Sequence, residues 1–157
     1  MKFHILAVGR GMPAPVRDLV LDYKNRLERF APVALHEVAE AKRNPAQKGD
    51  PQAMAMEAER IRRLLPKAAL MVPLDSQGRT LTSLELAQTL RHLQEDAVRE
   101  IFFLIGGPDG LDPDLLTQGS WRLSFGPMTF PHMLMRVLLL EQLFRAMTIL
   151  QGVPYHR

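Results

Sequence analysis

The 157-residue chain contains no cysteine. That one absence removes disulfides, thiolate nucleophiles and cysteine-ligated zinc, and it is compatible with a reducing compartment. No uncharged apolar run approaches the roughly 18 residues that a membrane span needs. The opening "MKFHILAVGRG" carries one lysine and too short an apolar stretch for a secretory h-region, so it reads as a first strand rather than a signal. Neither an internal repeat nor a low-complexity tract interrupts the sequence. Length and ordinary apolar content fit a single domain, residues 1–157, large enough to bury a real core.

The net charge of +3 is unevenly distributed. Residues 1–63 hold 12 Lys/Arg against 8 Asp/Glu, whereas residues 64–157 hold 8 against 9. The first part is therefore the candidate polyanion-facing surface, with a solvated basic face as the alternative.

Strand-length apolar runs alternate with helix-period segments along the chain. Strands are expected at 2–8 ("KFHILAV"), 33–38 ("VALHEV"), 68–74 ("AALMVPL"), 100–105 ("EIFFLI") and near 121–125 ("WRLSF"). Val16, Leu19, Val20, Tyr23, Leu27 and Phe30 recur at helical spacing. A polar loop spans 39–50, and Pro51 suits the first turn of a helix running to about Leu65. "DSQG" (75–78) reads as a turn, and Thr82 with Glu85 has capping-box spacing for a helix to about Gln94. "GGPDG" (106–110) is another turn, followed by a short helix. The last helix covers about Pro131 to Gln151, with Gly152 as a left-handed cap. This alternation implies an α/β fold with a mostly parallel sheet and helices on both faces.

Between Met133 and Leu150 the last helix carries only Arg136, Glu141 and Arg145 as charges, and it is apolar around nearly its whole circumference. Such a helix is buried on more than one side. The domain's own sheet covers one side, so a second copy of the chain is expected on the other. The alternative is a large local core that leaves a few Leu and Met exposed.

Two glycine-rich stretches are candidates for a ligand site. Gly9, Gly11 and Ala14 match G-x-G-x-x-G/A after the first strand, the pattern of a dinucleotide-binding oxidoreductase module. Pro13 removes an amide where the pyrophosphate would sit, and Glu28 falls inside the first helix rather than at the end of a second strand, so a chance match is the better reading. The second candidate is split among Leu74, Gly106–Gly107 and "FGPMTFPH" (125–132), all at the expected carboxyl ends of strands, where open α/β sheets bind ligands. Backbone groups there can read an adenine edge while Leu74, Phe125 and Met128 supply apolar walls. Three ordinary turns are the alternative.

"LIGGPDGL" (104–111), "LSFGPMTFPHMLMRVLLLEQLFRA" (123–146), the terminal "PYHR", "ILAVG" near the start and the turn after Leu74 together resemble a known family across essentially the whole chain. It is the RlmH type of the SPOUT superfamily, small bacterial methyltransferases that modify N3 of a pseudouridine in large-subunit ribosomal RNA. The resemblance implies a C-terminal trefoil knot, bound S-adenosylmethionine, a homodimer with sites at its interface, and a cytoplasmic enzyme using no metal. It maps cofactor contacts onto Leu74, Gly106, Phe125, Gly126, Pro127, Met128, Thr129 and Phe130. Many relatives carry polar or basic residues where this chain has Gly126 and Pro127.

Methyl transfer from a sulfonium is mainly a matter of positioning, but the imide N3–H must also lose its proton. His156 and His132 are the imidazoles in the right regions, with capping of the helix's first turn as the alternative for His132. Arg157 suits a phosphate or a developing anion, and Tyr155 suits stacking on a base. The tail is expected to complete the other subunit's site. A non-enzymatic ribosome-binding factor, motivated by the basic first half, is the remaining alternative.

Overall fold

The apolar runs form one five-stranded parallel sheet with the order β2-β1-β4-β3-β5. The computed structural model describes residues 1–43 and 49–156. The elements in chain order are β1 (Lys2–Val8), α1 (Ala14–Leu27), β2 (Val33–Val38), α2 (Pro51–Arg62), β3 (Leu70–Thr80), α3 (Ser83–Glu95), β4 (Glu100–Ile105), α4 (Pro113–Gln118), β5 (Leu123–Ser124) and α5 (His132–Leu150). Part of the expected 39–50 loop, residues 44–48, and Arg157 lie outside the described residues.

Successive side chains of a strand point to opposite faces, and both faces here are covered. Phe3, Ile5 and Ala7 of β1, with Ile101, Phe103 and Ile105 of β4, enter the core under α1, α3 and α5. Leu6, Val8, Phe102 and Leu104 face the smaller core under α2 and α4, where Ala58, Ile61 and Leu115 meet them. The α/β expectation with helices on both faces therefore holds.

Local chemistry sets several of the boundaries. Thr82 Oγ1 accepts from the Glu85 amide and the Glu85 carboxylate accepts from the Thr82 amide, completing the capping box of α3. Asp50 caps α2 by accepting from the amides of Gln52 and Ala53. At the end of α5 the Val153 amide donates to the Thr148 carbonyl at 2.9 Å and the Gly152 amide to Ile149 at 3.2 Å. Gly152 sits at φ +66°, which is the Schellman stop that a glycine permits.

Three expectations are corrected. β3 does not stop at 74 but resumes at Arg79–Thr80; Leu74 and Arg79 both stand opposite Leu123, so Asp75–Gly78 loops out between them where the turn was expected. α2 ends at Arg62 rather than near Leu65, and β5 is only Leu123–Ser124. β4 lies on one side of β3 and β5 on the other, so the chain leaving β4 must cross the carboxyl end of β3.

α5 buries Leu139, Leu140 and Leu143 completely. Replacing Leu139 with Ala is expected to lower unfolding stability by about 2–5 kcal/mol, as core truncations do, measured by urea denaturation with an unchanged m-value.

Candidate active site

Where the chain crosses the end of β3, three segments enclose a cavity of about 340 Å³. Leu74, Asp75 and Ser76 come from β3, Gly106–Leu111 from the turn after β4, and Phe125–Phe130 from the segment after β5. His132 and Met135 of α5 close it from the helix side. The split site expected from the sequence is thus brought together. Seven of its eight cofactor residues line the cavity, and Pro127, which is exposed, does not.

Two positions show how tightly the wall is built. A Cβ at Gly106 would collide with the backbone of Gly110 and Leu111, and one at Gly107 would lie 2.9 Å from Arg43 Nη2. The buried Ser124 hydroxyl donates to the Ser76 carbonyl at 3.1 Å and accepts from the Gly126 amide at 3.1 Å, tying the β5 segment to β3.

His132 opens α5 but does not cap it, since Pro131 is the N-cap and no side chain caps the turn. Its Nε2 is buried without a hydrogen-bond partner among the described residues, 3.5 Å from Glu40 Oε1. Burial, the largest cause, pulls the ring below the ordinary value of 6.5; Glu40 opposes this while Arg136 and Arg43 add to it. One turn further along α5, Arg136 is 3 % exposed. Its Nη2 donates to the carbonyls of Gly9 at 2.6 Å and Val8 at 3.0 Å, and its Nη1 donates to Glu37.

This contact also disposes of the dinucleotide reading. Gly9 lies in the left-handed region at φ +99°, but a Cβ there would sit 2.9 Å from both Glu40 Oε1 and His132 Nε2. The space that a pyrophosphate would need over Gly9 is filled by α5.

The tail lies elsewhere. The 19 residues of α5 span about 28 Å, and Tyr155 packs at the end remote from His132. Its ring meets Phe144 edge-on at 4.7 Å between centroids, and the Arg145 guanidinium stands 4.6 Å from its centroid. Its hydroxyl donates to Glu141 Oε1 at 3.1 Å. Burial first, then hydrogen bonding with Tyr23 and Glu141, pushes the phenol up to about 12, so it stays protonated at neutral pH. His156 is exposed. The structure therefore brings His132 to the cavity of its own chain and keeps Tyr155 and His156 away from it.

Several site residues escaped sequence reasoning. Arg43, Glu40 and Glu57 stand behind the wall, and Arg136 anchors the helix. The signal for Arg136 was its place as a cation with no acidic residue one turn away in an apolar helix, unlike Arg145 with Glu141; the loop residues offered none.

Fold and site together define an α/β domain with a backbone-lined ligand cavity at the carboxyl ends of parallel strands. A family model described as "Predicted SPOUT methyltransferase" matches residues 1–156, and the chain belongs to that family of methyltransferases. Among curated relatives, the Ribosomal RNA large subunit methyltransferase H of Magnetococcus marinus is 47 % identical, covering 99 % of this chain and 99 % of the relative. The proteins of the same name from Paraburkholderia xenovorans and Rhodopseudomonas palustris are 44 % and 39 % identical, each covering 100 % of this chain and 99 % of the relative. A crystal structure titled as a probable methyltransferase from Bordetella pertussis Tohama I superposes with a TM-score of 0.55 at 17 % identity, covering 92 % of this chain and 95 % of that one. That likeness shows a shared fold.

The depressed His132 carries a pH signature. Its neutral form is favoured by folding, so its contribution to stability is present above 6.5 and is lost as pH falls through the lower folded value. The melting temperature should fall on acidification from pH 6.5, and His132→Gln should fall less over the same range. A parallel loss from His36, lowered by burial and by His4, remains in both proteins.

Proposed function

We propose that this protein is an S-adenosylmethionine-dependent methyltransferase that modifies N3 of a pseudouridine in large-subunit ribosomal RNA, working as a homodimer in the cytoplasm. The observation that carries the reading is the cavity formed by three strand-end segments, in a chain that matches ribosomal RNA methyltransferases over its full length. The C-terminal trefoil knot belongs to the same reading and is supported by the crossing of the chain over the end of β3.

The residues present suit such a cofactor. A cavity of about 340 Å³ is the size of a small-ligand site. Leu74, Phe125 and Met128 offer apolar walls, and Gly110 and Gly126 line the cavity with nothing within 4 Å of where a Cβ would stand, so a ligand is free to approach their backbone. When bound, the cofactor supplies a methyl group already activated on a sulfonium. Leu74, Gly106 and the 125–130 segment then orient the donor, which is where most of the rate gain of a positioned two-substrate reaction comes from. His132 lines the cavity and burial favours its neutral form, so it is the first candidate acceptor of the imide proton of the base. Arg10, exposed between two glycines of positive φ, and Lys42, exposed after β2, contact RNA phosphates.

The dimer reading rests on the outer face of α5. Leu134 is 40 % exposed there, with Val137 and Leu138 half-buried, and Met128 beside the cavity is 70 % exposed. In an antiparallel pairing of that face with its copy, the partner's tail, about 28 Å along its own α5, would come to this cavity. Glu141, Arg145 and Phe144 hold Tyr155 and leave His156 exposed after it. Arg157 then grips a phosphate or steadies the developing anion, and His156 is the second candidate proton acceptor.

S-adenosylmethionine at about 100 times its dissociation constant should stabilise the fold by ~2.7 kcal/mol and raise the melting temperature, whereas NADH should not. Deleting Tyr155–Arg157 should abolish transfer of labelled methyl to ribosomal subunits while leaving cofactor binding within about twofold, roughly 0.4 kcal/mol; retained transfer would refute the role of the tail. Leu134→Asp should shift the light-scattering mass from dimer to monomer and remove transfer with it.

A further inference from the structure

We propose that Arg43 is a positioning residue for the donor cavity: its guanidinium bridges the turn after β4 to α2 and to the segment after β2, and so sets the wall against which the donor lies. The inference rests on the reading of this cavity as the donor site.

Arg43 Nε donates to Asp109 Oδ2 at 2.7 Å, and Nη2 donates to Glu57 Oε2 at 3.1 Å. Nη1 reaches the Ala41 carbonyl at 3.4 Å and stands 3.8 Å from Glu40 Oε2. The planar fork therefore faces three carboxylates from three parts of the chain, a geometry that lysine's single point of charge cannot reproduce. Glu57 is 2 % exposed, and its Oε1 also accepts from the Ala41 amide at 2.9 Å. A carboxylate buried that deeply is tolerated because a cation and an amide meet it. Asp109 is held below the usual carboxylate range chiefly by its hydrogen bond to Arg43, with backbone amides of Asp50 and Gly49 assisting.

The consequence for the cavity lies in what these partners touch. Asp109 and Gly107 both line it, and Arg43 Nη2 lies 2.9 Å from where a Gly107 Cβ would stand. The guanidinium thus packs behind the turn while the cavity lies in front of it. Within the turn itself, the Gly110 amide donates to the Gly107 carbonyl at 3.0 Å, which closes the loop but does not fix its distance from β3 and β5. Arg43 supplies that fixation from the side of α2.

The test compares Arg43→Gln, Arg43→Lys and wild type by calorimetric titration with S-adenosylmethionine, melting temperature, and steady-state transfer to ribosomal subunits. Arg43→Gln should weaken donor binding about tenfold or more, the equivalent of one lost charge-assisted hydrogen bond, and lower the melting temperature. Arg43→Lys should regain most of the melting temperature by neutralising Glu57 but not the donor affinity. KM for the donor should rise in both while KM for RNA stays within about twofold, a free-energy change of a few tenths of a kilocalorie. If donor affinity simply follows melting temperature across the three proteins, or is unchanged in both variants, Arg43 is structural and the inference fails. A wild-type protein that binds no S-adenosylmethionine would instead overturn the donor-site reading, and this inference with it.

Discussion

The arrangement of the whole carboxyl end of the sheet hangs on the seating of α5, and that seating hangs on Arg136. A charge only 3 % exposed is tolerable here because both terminal nitrogens find acceptors in the Val8 and Gly9 carbonyls and the Glu37 carboxylate, while Nε has no partner among the described residues. The grip fixes the first turn of α5 against the end of β1. Everything at the site takes its place from that point. His132 is turned toward the cavity, the 125–131 segment is drawn across the end of β3 as a wall, and the far end of the helix carries the tail well beyond reach of its own cavity.

Two guanidiniums, Arg136 buried and Arg43 partly exposed, thus brace the elements around the cavity. Arg136 ties the helix to β1, and Arg43 ties the β4 turn to α2. Each uses arginine's fork to satisfy oxygens on different elements at once, which a lysine does not manage. Between them His132 sits among Glu40, Glu57, Arg43 and Arg136, and its burial outweighs the carboxylates in keeping the ring neutral. A chemistry that needs a held donor and one proton acceptor asks for little more than this rigidity and one neutral imidazole.

Much of the framework was readable from the order of residues. β1 and β4 fall where their apolar runs placed them, because a strand covered on both faces shows itself without reference to its neighbours, and the edge strand β2 falls at its expected limits too. The capping box at Thr82–Glu85 and the glycine stop at Gly152 are local hydrogen-bond patterns, and they too were visible. The resumption of β3 at Arg79–Thr80 was not, because it follows the turn-like Asp75–Gly78 and comes only from pairing with β5. Tyr155 read as a free ring for stacking, yet its environment is made by Phe144, Arg145 and Glu141, residues whose helix must first be formed for them to share a face.

By itself the sequence determined the element types, their approximate limits, the apolar character of α5 and the residue types available at the strand ends, since each follows from periodicity and local capping. The tertiary structure alone decided the strand order, the crossing over β3 that makes three distant segments into one cavity, and the assignment of Arg43, Glu57 and Arg136 to ionic partners 14 to 99 residues away. The physical reason is that burial and charge pairing depend on which surfaces meet, and no local propensity encodes a contact between residues so far apart along the chain.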